Sequence, residues 1–272
     1  PAKDRPGGGH DDPAGRAPAV MTPLLVGCCG WAGARARYYE QFPVVELQET
    51  FYQLPSVSLV EKWRREAPSA FRFTLKAWQL ITHPPSSPTY RRLKEPLPED
   101  LRARCGFFQP TDQVWEAWER TAEIARALRA EAVVFQCPAS FRPLPANVAN
   151  LKMFFQRAGP QPWLAVWEPR GDWPPELIRE ICREYDLIHC VDPFQGEPLH
   201  GSALYFRLHG KGGYNYRYSD AELEWLAALL RRLRQQRPGP AYVMFNNVYM
   251  KDDAARFQRV WERAASASSD AC

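Results

Sequence analysis

The segment with the clearest chemical potential is a strand-like run that ends in an arginine, a histidine and glycines. Residues 203–213 read Ala-Leu-Tyr-Phe-Arg-Leu-His-Gly-Lys-Gly-Gly, so Arg207 and His209 lie two positions apart. Because the side chains of a strand alternate between its faces, both residues lie on the same face. A cation and an imidazole beside a glycine-rich loop predict a site for an anion or for proton transfer. The alternative is that both groups are simply paired inside the fold.

Polar side chains also end most of the other predicted strands. If the strands close into a parallel barrel, their carboxyl ends meet at one mouth, where barrel enzymes carry their chemistry. His209 is the best candidate acid or base, because the pKa of an ordinary histidine lies near neutral pH. The candidate catalytic carboxylates are Glu46, Glu168 and Asp192. The candidate substrate-binding residues are the cations Lys76, Arg170 and Arg207 and the amides Gln136, Asn246 and Asn247.

Each of these residues also has a purely structural interpretation. Glu46 falls in the middle of a predicted strand, where a buried carboxylate must be paired with a cation. Asp192 precedes Pro193 and is also typical of a turn. His83, within Thr82-His83-Pro84-Pro85, is expected to lie on a surface loop. Tyr214, Tyr216 and Tyr218 around Arg217 suit stacking on bases or sugar rings, or an ordinary loop.

The charges of the candidates favour an anionic ligand. Lys76, Arg170 and Arg207 suit a phosphate or a carboxylate, which arginine binds with two hydrogen bonds. The carboxylates and His209 are also ligand types for a divalent metal. No HxH or HExxH spacing supports such a site, and the arginines would oppose a metal electrostatically. We therefore predict no cofactor, and keep a divalent metal as an alternative.

The elements that must position these residues alternate between strands and helices. Two helices are predicted to begin with capping boxes, at Ser58-x-x-Glu61 and at Ser219-x-x-Glu222. Eight strands separated mostly by helices predict an α/β fold, a single (β/α)8 TIM-type barrel. The predicted strands are 24–29, 44–50, 71–76, 131–137, 163–168, 187–191, 203–209 and 241–246.

Two connections depart from the regular alternation. Residues 77–112 form a long, proline-rich excursion after the third strand, and such a segment is a candidate lid or binding loop. The sixth crossover, between Asp192 and Ala203, is too short for a full helix and is predicted to be irregular.

Bulk composition limits the class of protein. The chain has 272 residues, 45% of them hydrophobic, and a formal net charge of +4. This charge is too mild for a protein that binds nucleic acid by bulk charge alone. No apolar run approaches the roughly 18 residues needed to span a bilayer, so no membrane partner is expected. Seven dispersed cysteines without a CxxC pair favour a reducing cytoplasm over a disulfide framework.

The composition also predicts the domain boundary. Residues 1–20 are rich in Pro, Gly, Asp and Arg and nearly lack large apolar side chains. Such a segment cannot bury enough surface to offset the entropy of ordering it. We therefore predict a disordered tail over 1–20 and one barrel domain over 21–272.

Short motifs in chain order resemble a known family, the YecE-like proteins, also called domain of unknown function 72. The resemblance implies a TIM-type barrel but no reaction, and it adds Trp31 and Tyr52 as candidate substrate contacts. Gln48 and Cys29 replace the usual Asn and Ser, departures that resemble an archaeal or thermophile-type branch. The motifs are Gly27–Trp31, Val45–Pro55, Phe73–Lys76, Thr82-His83, Phe135–Pro138 with Phe141, Glu168–Arg170 with Trp173, Phe206–Gly210 and Phe245–Asn247.

Three functions are consistent with this pattern. The first is an acid/base enzyme, such as a hydrolase, that acts on a phosphorylated or nucleic-acid-derived substrate at the barrel mouth. Endonuclease IV-type barrels suggest this by analogy of fold alone. The second is a non-catalytic module that binds nucleic acid or a metabolite. The third is a metal-dependent isomerase or hydrolase of sugar-type substrates. The expected partner is a phosphate- or carboxylate-bearing small molecule or a nucleic acid.

Overall fold

The computed structural model describes residues 22–94 and 96–269, so the tail predicted over 1–20 lies outside the described residues. The strands are β1 Leu24–Cys29, β2 Val44–Leu47, β3 Arg72–Lys76, β4 Ala132–Gln136, β5 Leu164–Glu168, β6 Ile188–His189, β7 Leu204–Leu208 and β8 Ala241–Phe245. The helices are α1 Arg35–Gln41, α2 Glu49–Tyr52, α3 Val57–Glu66, α4 Gln79–Thr82, α5 Glu99–Arg102, α6 Asp112–Leu128, α7 Pro145–Ala158, α8 Pro175–Glu184, α9 Asp220–Arg234 and α10 Met250–Ser269, with a 3₁₀ turn at Pro88–Arg92.

The eight strands form one parallel sheet that closes into a barrel, as predicted. Strands β1 to β6 pair in chain order, and β8 pairs with both β1 and β7. A single bridge between Val191 and Phe206 joins the remaining two edges. The fold is a (β/α)8 TIM-type barrel, whose carboxyl-terminal mouth collects the strand-end side chains.

Alternation along each strand separates two buried layers. Leu25 and Cys29 of β1 and Tyr205 of β7 belong to a small inner cluster. Outward-facing residues such as Phe73 and Phe135 pack with the helices in a much larger cluster. At the mouth the inward-facing positions are filled by polar residues. Glu46, for example, follows the inward-facing Val44 by two residues and therefore points to the same side of its strand.

The second strand is shorter than predicted. It ends at Leu47. Residues Glu49–Tyr52 then form a helical turn, and Gln48 is the N-cap residue of this turn. Thr50 turns back, and its hydroxyl donates to the backbone carbonyl of Lys76 at 2.7 Å. The predicted strand over 44–50 is therefore wrong beyond Leu47, and Glu46 lies at the strand end rather than in its middle.

One of the two predicted capping boxes is present in the structure. Ser219 and Glu222 form the reciprocal capping box at the start of α9. The box predicted at Ser58 and Glu61 is wrong, because α3 begins two residues earlier and its N-cap is Ser56, which accepts from the Leu59 N–H. Ser56, which directly follows Pro55, therefore caps the free N–H groups of the first turn in place of Ser58.

Both irregular connections are present. The excursion after β3 is packed rather than open, since Gly106 and Phe108 donate backbone hydrogen bonds to Leu80 and Ile81. His83 is buried there, so its predicted place on a surface loop is wrong. The crossover between β6 and β7 contains no helix, as predicted.

Two observations bear on the environment of the protein. Within 22–94 and 96–269, no helix combines the length and the apolar character that crossing a bilayer requires. Six cysteines of this region are free and buried. The cytoplasmic location stays a prediction.

Close contact between β1 and β2 depends on Gly27. A Cβ atom at this position would lie 2.1 Å from the carbonyl oxygen of Val44. We expect Gly27→Ala to destabilise the barrel by about 3 kcal/mol, because two backbones must separate to admit the methyl group. Thermal unfolding followed by circular dichroism measures the loss. Gly196→Ala is the matched control, since its Cβ would meet nothing closer than 3.8 Å. Equal melting temperatures for both variants would contradict this account.

Candidate active site

Arg207 is the centre of the hydrogen-bond network at the barrel mouth. It extends inward from β7, is 1% exposed, and lies between two carboxylates. Its Nε donates to both oxygens of Glu46 at 3.1 Å, and its Nη1 donates to Glu168 at 2.5 Å and to Gln136 at 3.1 Å. Nη2 lies 2.9 Å from Glu46 without hydrogen-bond alignment. The guanidinium is therefore paired mainly with groups of the protein itself, and Nη2 is its one nitrogen without a hydrogen-bond partner among the described residues.

Burial and charge act in opposite directions on this network. Burial alone would lower the pKa of Arg207, but the carboxylates of Glu168 and Glu46 raise it well above its usual range. Burial would likewise raise the pKa of Glu168, and the charge of Arg207, a hydrogen bond from His209 and the charge of Arg170 hold it well below normal. Arg207 and Glu168 therefore both stay charged in the interior.

Glu46 has two further partners that were not among the predicted site residues. The Tyr205 hydroxyl donates to its Oε2 at 2.8 Å, and the Gln48 amide donates to its Oε1 at 2.5 Å. Tyr205 also contacts the Thr74 hydroxyl at 2.8 Å. The signal for Tyr205 was present, because it precedes Arg207 by two residues and so shares the inner face. The signal for Gln48 was present too, because the strand predicted over 44–50 places it two residues after Glu46 on the same face.

Glu168 connects the buried arginine to the more open edge of the site. Its Oε1 accepts from Arg170 Nε at 3.0 Å and lies 3.3 Å from His209 Nε2. Arg170 is 35% exposed on its side chain and His209 15%, so these two groups are accessible to a ligand. Glu168, Arg170 and His209 thus form the outer half of the network.

His209 has polar contacts at both ring nitrogens. Arg170 Nη2 lies 2.9 Å from His209 Nε2, and a guanidinium nitrogen can only donate. Glu168 Oε1 lies 3.3 Å from the same nitrogen, and a carboxylate oxygen can only accept, so these two contacts favour opposite positions of the ring proton. The Asn246 side-chain amide lies 3.0 Å from Nδ1, on the other side of the ring. The imidazole is thus held between a donor and an acceptor at Nε2.

Asp192 supports the backbone instead of the chemistry. Its two carboxylate oxygens accept from the backbone N–H groups of Phe194 and His209, both at 3.0 Å. The carboxylate therefore fixes the position of the His209 main chain. The structure gives no support to the predicted catalytic role of Asp192, and indicates a positioning role.

Lys76 is the inner-face cation without an anionic partner. Its side chain is buried, with 5% exposure, and it makes no ion pair with a carboxylate of the described residues. Its Nζ lies 3.7 Å above the centre of the Phe51 ring. Burial and then the charge of Arg207 lower the pKa of Lys76 to about 7, against the opposite effects of Glu46 and Glu168.

His83 is buried in this region, although the sequence interpretation placed it on a surface loop. Its ring packs edge-on against Phe51, with centres 4.7 Å apart, and its Nδ1 lies 2.8 Å from the Thr82 hydroxyl. Burial, followed by the charges of Lys76 and Arg170, lowers its pKa to about 3. His83 is therefore a neutral imidazole next to Lys76. Its place in Thr82-His83, one of the motifs that carry the family resemblance, was the sequence feature that could have indicated a position at the site.

Three predicted substrate contacts make no contact with this network. Trp31 packs against Tyr38, Phe71 and Phe73 in the outer layer. Tyr52 lies under the guanidinium of Arg92, 3.5 Å from its ring centre. The Asn247 amide donates to Tyr216 and to Asp253, which fixes the loop before α10. These three side chains therefore support the surrounding structure.

Exposed apolar residues border the mouth on the side of β7 and β8. Tyr214 is 57% exposed, and its ring lies edge-on to His209 with centres 6.2 Å apart. Its carbonyl accepts from the Val248 N–H, which brings exposed Val248 and Tyr249 to the same rim. Of the predicted stacking tyrosines, Tyr218 is buried, so Tyr214 is the one with an open face.

Removing Arg207 tests the network directly. Arg207→Met leaves Glu46 buried without its counter-charge and Glu168 with Arg170 alone, so we expect a loss of about 3–5 kcal/mol in the free energy of unfolding. Urea unfolding followed by tryptophan fluorescence measures it. The matched control is Arg232→Met, which removes an ion pair to Glu197 between half-exposed side chains. It is expected to cost less than about 1 kcal/mol. Similar losses in both variants would refute the central role of Arg207.

Acid pH tests the charge of Glu168. Its pKa lies well below the ordinary value of 4.5 in the folded protein, so its contribution is present above pH 4.5 and is lost as the pH falls further. We expect Glu168→Gln to be less stable than the wild type at pH 7 and to lose less stability between pH 7 and pH 3. Melting temperatures over this range measure the difference. Glu197→Gln should follow the wild-type curve, and a Glu168→Gln curve parallel to the wild type would contradict the assignment.

Comparisons with known proteins agree with this architecture. The family described as "Protein of unknown function DUF72" matches residues 25–271. The UPF0759 protein YunF of Bacillus subtilis (strain 168) is 26% identical over 240 residues, which cover 77% of this chain and 79% of that protein. The archaeal or thermophile-type branch stays a prediction.

Solved structures of the family share the fold. A DUF72 family protein of Enterococcus faecalis V583 has 20% identity and a TM-score of 0.67, covering 89% of this chain and 98% of that one. A DUF72 family protein of Thermotoga maritima MSB8 has 21% identity and a TM-score of 0.65, covering 88% and 99%. With the family match over nearly the whole barrel, the chain belongs to the DUF72 family, as its strand-end motifs predict.

Proposed function

We propose that this protein is an enzyme that acts by general acid–base chemistry on a substrate carrying a phosphate or carboxylate group, bound at the carboxyl-terminal mouth of the barrel. The observation that carries the proposal is the arrangement around His209. Its Nε2 contacts both Glu168 and Arg170, and its Nδ1 contacts Asn246. An imidazole that is fixed on both nitrogens and still accessible is suited to move a proton.

Arg170 is the cation that would bind the anionic group. Its side chain is accessible, whereas Arg207 is enclosed by carboxylates. An arginine fork forms two charge-assisted hydrogen bonds with a phosphate or a carboxylate. Binding would draw Arg170 Nη2 away from His209 Nε2 and leave that nitrogen free to exchange a proton with the substrate. Substrate binding and activation of the base would thus be coupled through one side chain.

The rim of the mouth supports a substrate with a flat ring. Tyr214 lies beside His209, and the guanidinium of Arg217 lies 5.7 Å from the ring centre of Tyr249. Exposed aromatic rings next to a cation stack well on nucleobases and on sugar faces. A nucleotide or another nucleic-acid-derived phosphate therefore fits both the charge and the surface of the site.

A metal-dependent reaction on a sugar-type substrate is less well supported. The carboxylates of Glu46 and Glu168 are already engaged by Arg207. Over the described ranges, no three His, Cys, Asp or Glu side chains lie together as metal ligands would. A non-catalytic binding module would use the same contacts, so turnover is what separates it from an enzyme.

A screen for turnover tests the proposal. Purified full-length protein is incubated with sugar phosphates, nucleoside monophosphates and short single-stranded DNA, and products are followed by mass spectrometry. We expect His209→Ala to lower kcat by about 10²–10⁴-fold, because it removes the proton-transfer group. Arg170→Met should raise KM by about 10- to 100-fold, since it removes a charge-assisted contact.

Two variants serve as matched controls. His200→Ala removes a histidine whose Nδ1 contacts the Leu187 carbonyl away from the mouth, and Arg179→Met removes an exposed arginine of α8. Both should retain wild-type turnover. Turnover that His209→Ala leaves unchanged would refute the proposal. Binding that depends on Arg170, with no product for any of these compounds, would identify a binding module instead.

A further inference from the structure

Lys76 is the buried chemical group that the acid–base proposal leaves without a role. It ends β3 on the inner face, and its exposed fraction is 5%. Removing an ammonium group from water is costly, and proteins usually offset that cost with a carboxylate. Lys76 forms no such pair within the described part of the chain, although Glu46 and Glu168 are close enough to influence it.

The charges around Lys76 explain this arrangement. Arg207 from β7 and Arg170 after β5 oppose a further positive charge, while Glu46 from β2 and Glu168 from β5 favour it. The two carboxylates are already paired with the two arginines. From α2 the Phe51 ring faces the Nζ, and His83 from the excursion is a neutral imidazole. The network is thus electrically balanced before Lys76 is counted.

We propose that Lys76 is a nucleophile that forms a Schiff base with an aldehyde or ketone group of the substrate. The inference rests on the proposed function and narrows its substrate class to a carbonyl compound that also carries an anionic group. Arg170 would bind the anion, and Lys76 the carbonyl carbon. A pKa lowered to about 7 supports this role, because a large share of the side chain is then an uncharged amine at neutral pH.

The chemistry balances without an added oxidant or reductant. The Nζ lone pair attacks the carbonyl carbon, a C–N bond forms, and the π electrons of C=O move to the oxygen, which takes up a proton. The nitrogen loses a proton, and the hydroxyl leaves as water after a second protonation, giving a protonated imine. His209, which contacts Glu168, would supply and remove these protons at the mouth. The imine acidifies the adjacent C–H bond, so proton removal there gives an enamine, and hydrolysis returns the amine.

Borohydride trapping on the intact wild-type protein tests the proposal. The probes are pyridoxal 5′-phosphate, an aldehyde with a phosphate, and pyruvate, a ketone with a carboxylate. After reduction at pH 7, intact mass gives the stoichiometry and peptide mass spectrometry gives the site. We expect one adduct per chain, at Lys76, and labelling at least tenfold slower at the exposed Lys62 and at Lys211, which pairs with Glu222.

The pH dependence of labelling supplies a second readout. Labelling of Lys76 should level off above about pH 7. Lys76→Arg should abolish the single adduct, and Arg170→Met should reduce trapping of both probes. Labelling spread evenly over the lysines, or labelling of Lys76 that keeps rising steeply between pH 8 and pH 10, would overturn the proposal.

The two proposals fail in different ways. If Lys76 is trapped while His209→Ala leaves turnover unchanged, the Schiff base stands and the acid–base assignment falls. If turnover depends on His209 but no adduct forms at Lys76, the acid–base enzyme stands and the nucleophile is refuted. The trapping result uses the wild-type chain, so the test of Lys76 does not depend on the folding of any variant.

Discussion

The pairing of Arg207 with Glu46 and Glu168 is the interaction on which the barrel mouth depends. One guanidinium, 1% exposed, links β7 to β2 and to β5 across the interior. Without it, Glu46 would be buried with no cation paired to it, and Glu168 would keep Arg170 alone. Because Arg207 neutralises one side of Glu168, the opposite oxygen can hold Arg170 and His209. The accessible groups, Arg170 and His209, thus depend on an ion pair that is itself buried.

The fold and about half of the site follow from the sequence. Strand periodicity placed Glu46, Glu168 and Arg207 on one inner face, and parallel closure brought their ends together. The same rule applied to Tyr205 would have included it. Periodicity carries no information on how each charge is divided among partners. For that reason, the sequence predicted that Arg207 binds substrate, whereas in the structure Glu46 and Glu168 enclose it.

Loops account for most of the remaining differences. Trp31, Tyr52 and Asn247 follow strand ends in sequence, yet the turns after those strands direct them into the outer layer or into the loop before α10. His83 shows the reverse case, since the excursion folds back and buries it beside Lys76. Such positions depend on tertiary hydrogen bonds of the loops, for which local sequence has no periodic signal.

The joint between β6 and β7, where the barrel closes, determines how easily the wall beside the site can open. Strand β6 has two residues, and the barrel is closed there by one bridge, with backbone N–O distances of 3.4 Å from Val191 to Tyr205 and 3.2 Å from Arg207 to Val191. Asp192, the next residue, holds the backbone of His209. Local opening needs the least energy where few hydrogen bonds break. Amide exchange within the sheet should therefore be faster along this joint than between the other strand pairs, and the imidazole lies beside the part of the barrel wall that opens most readily.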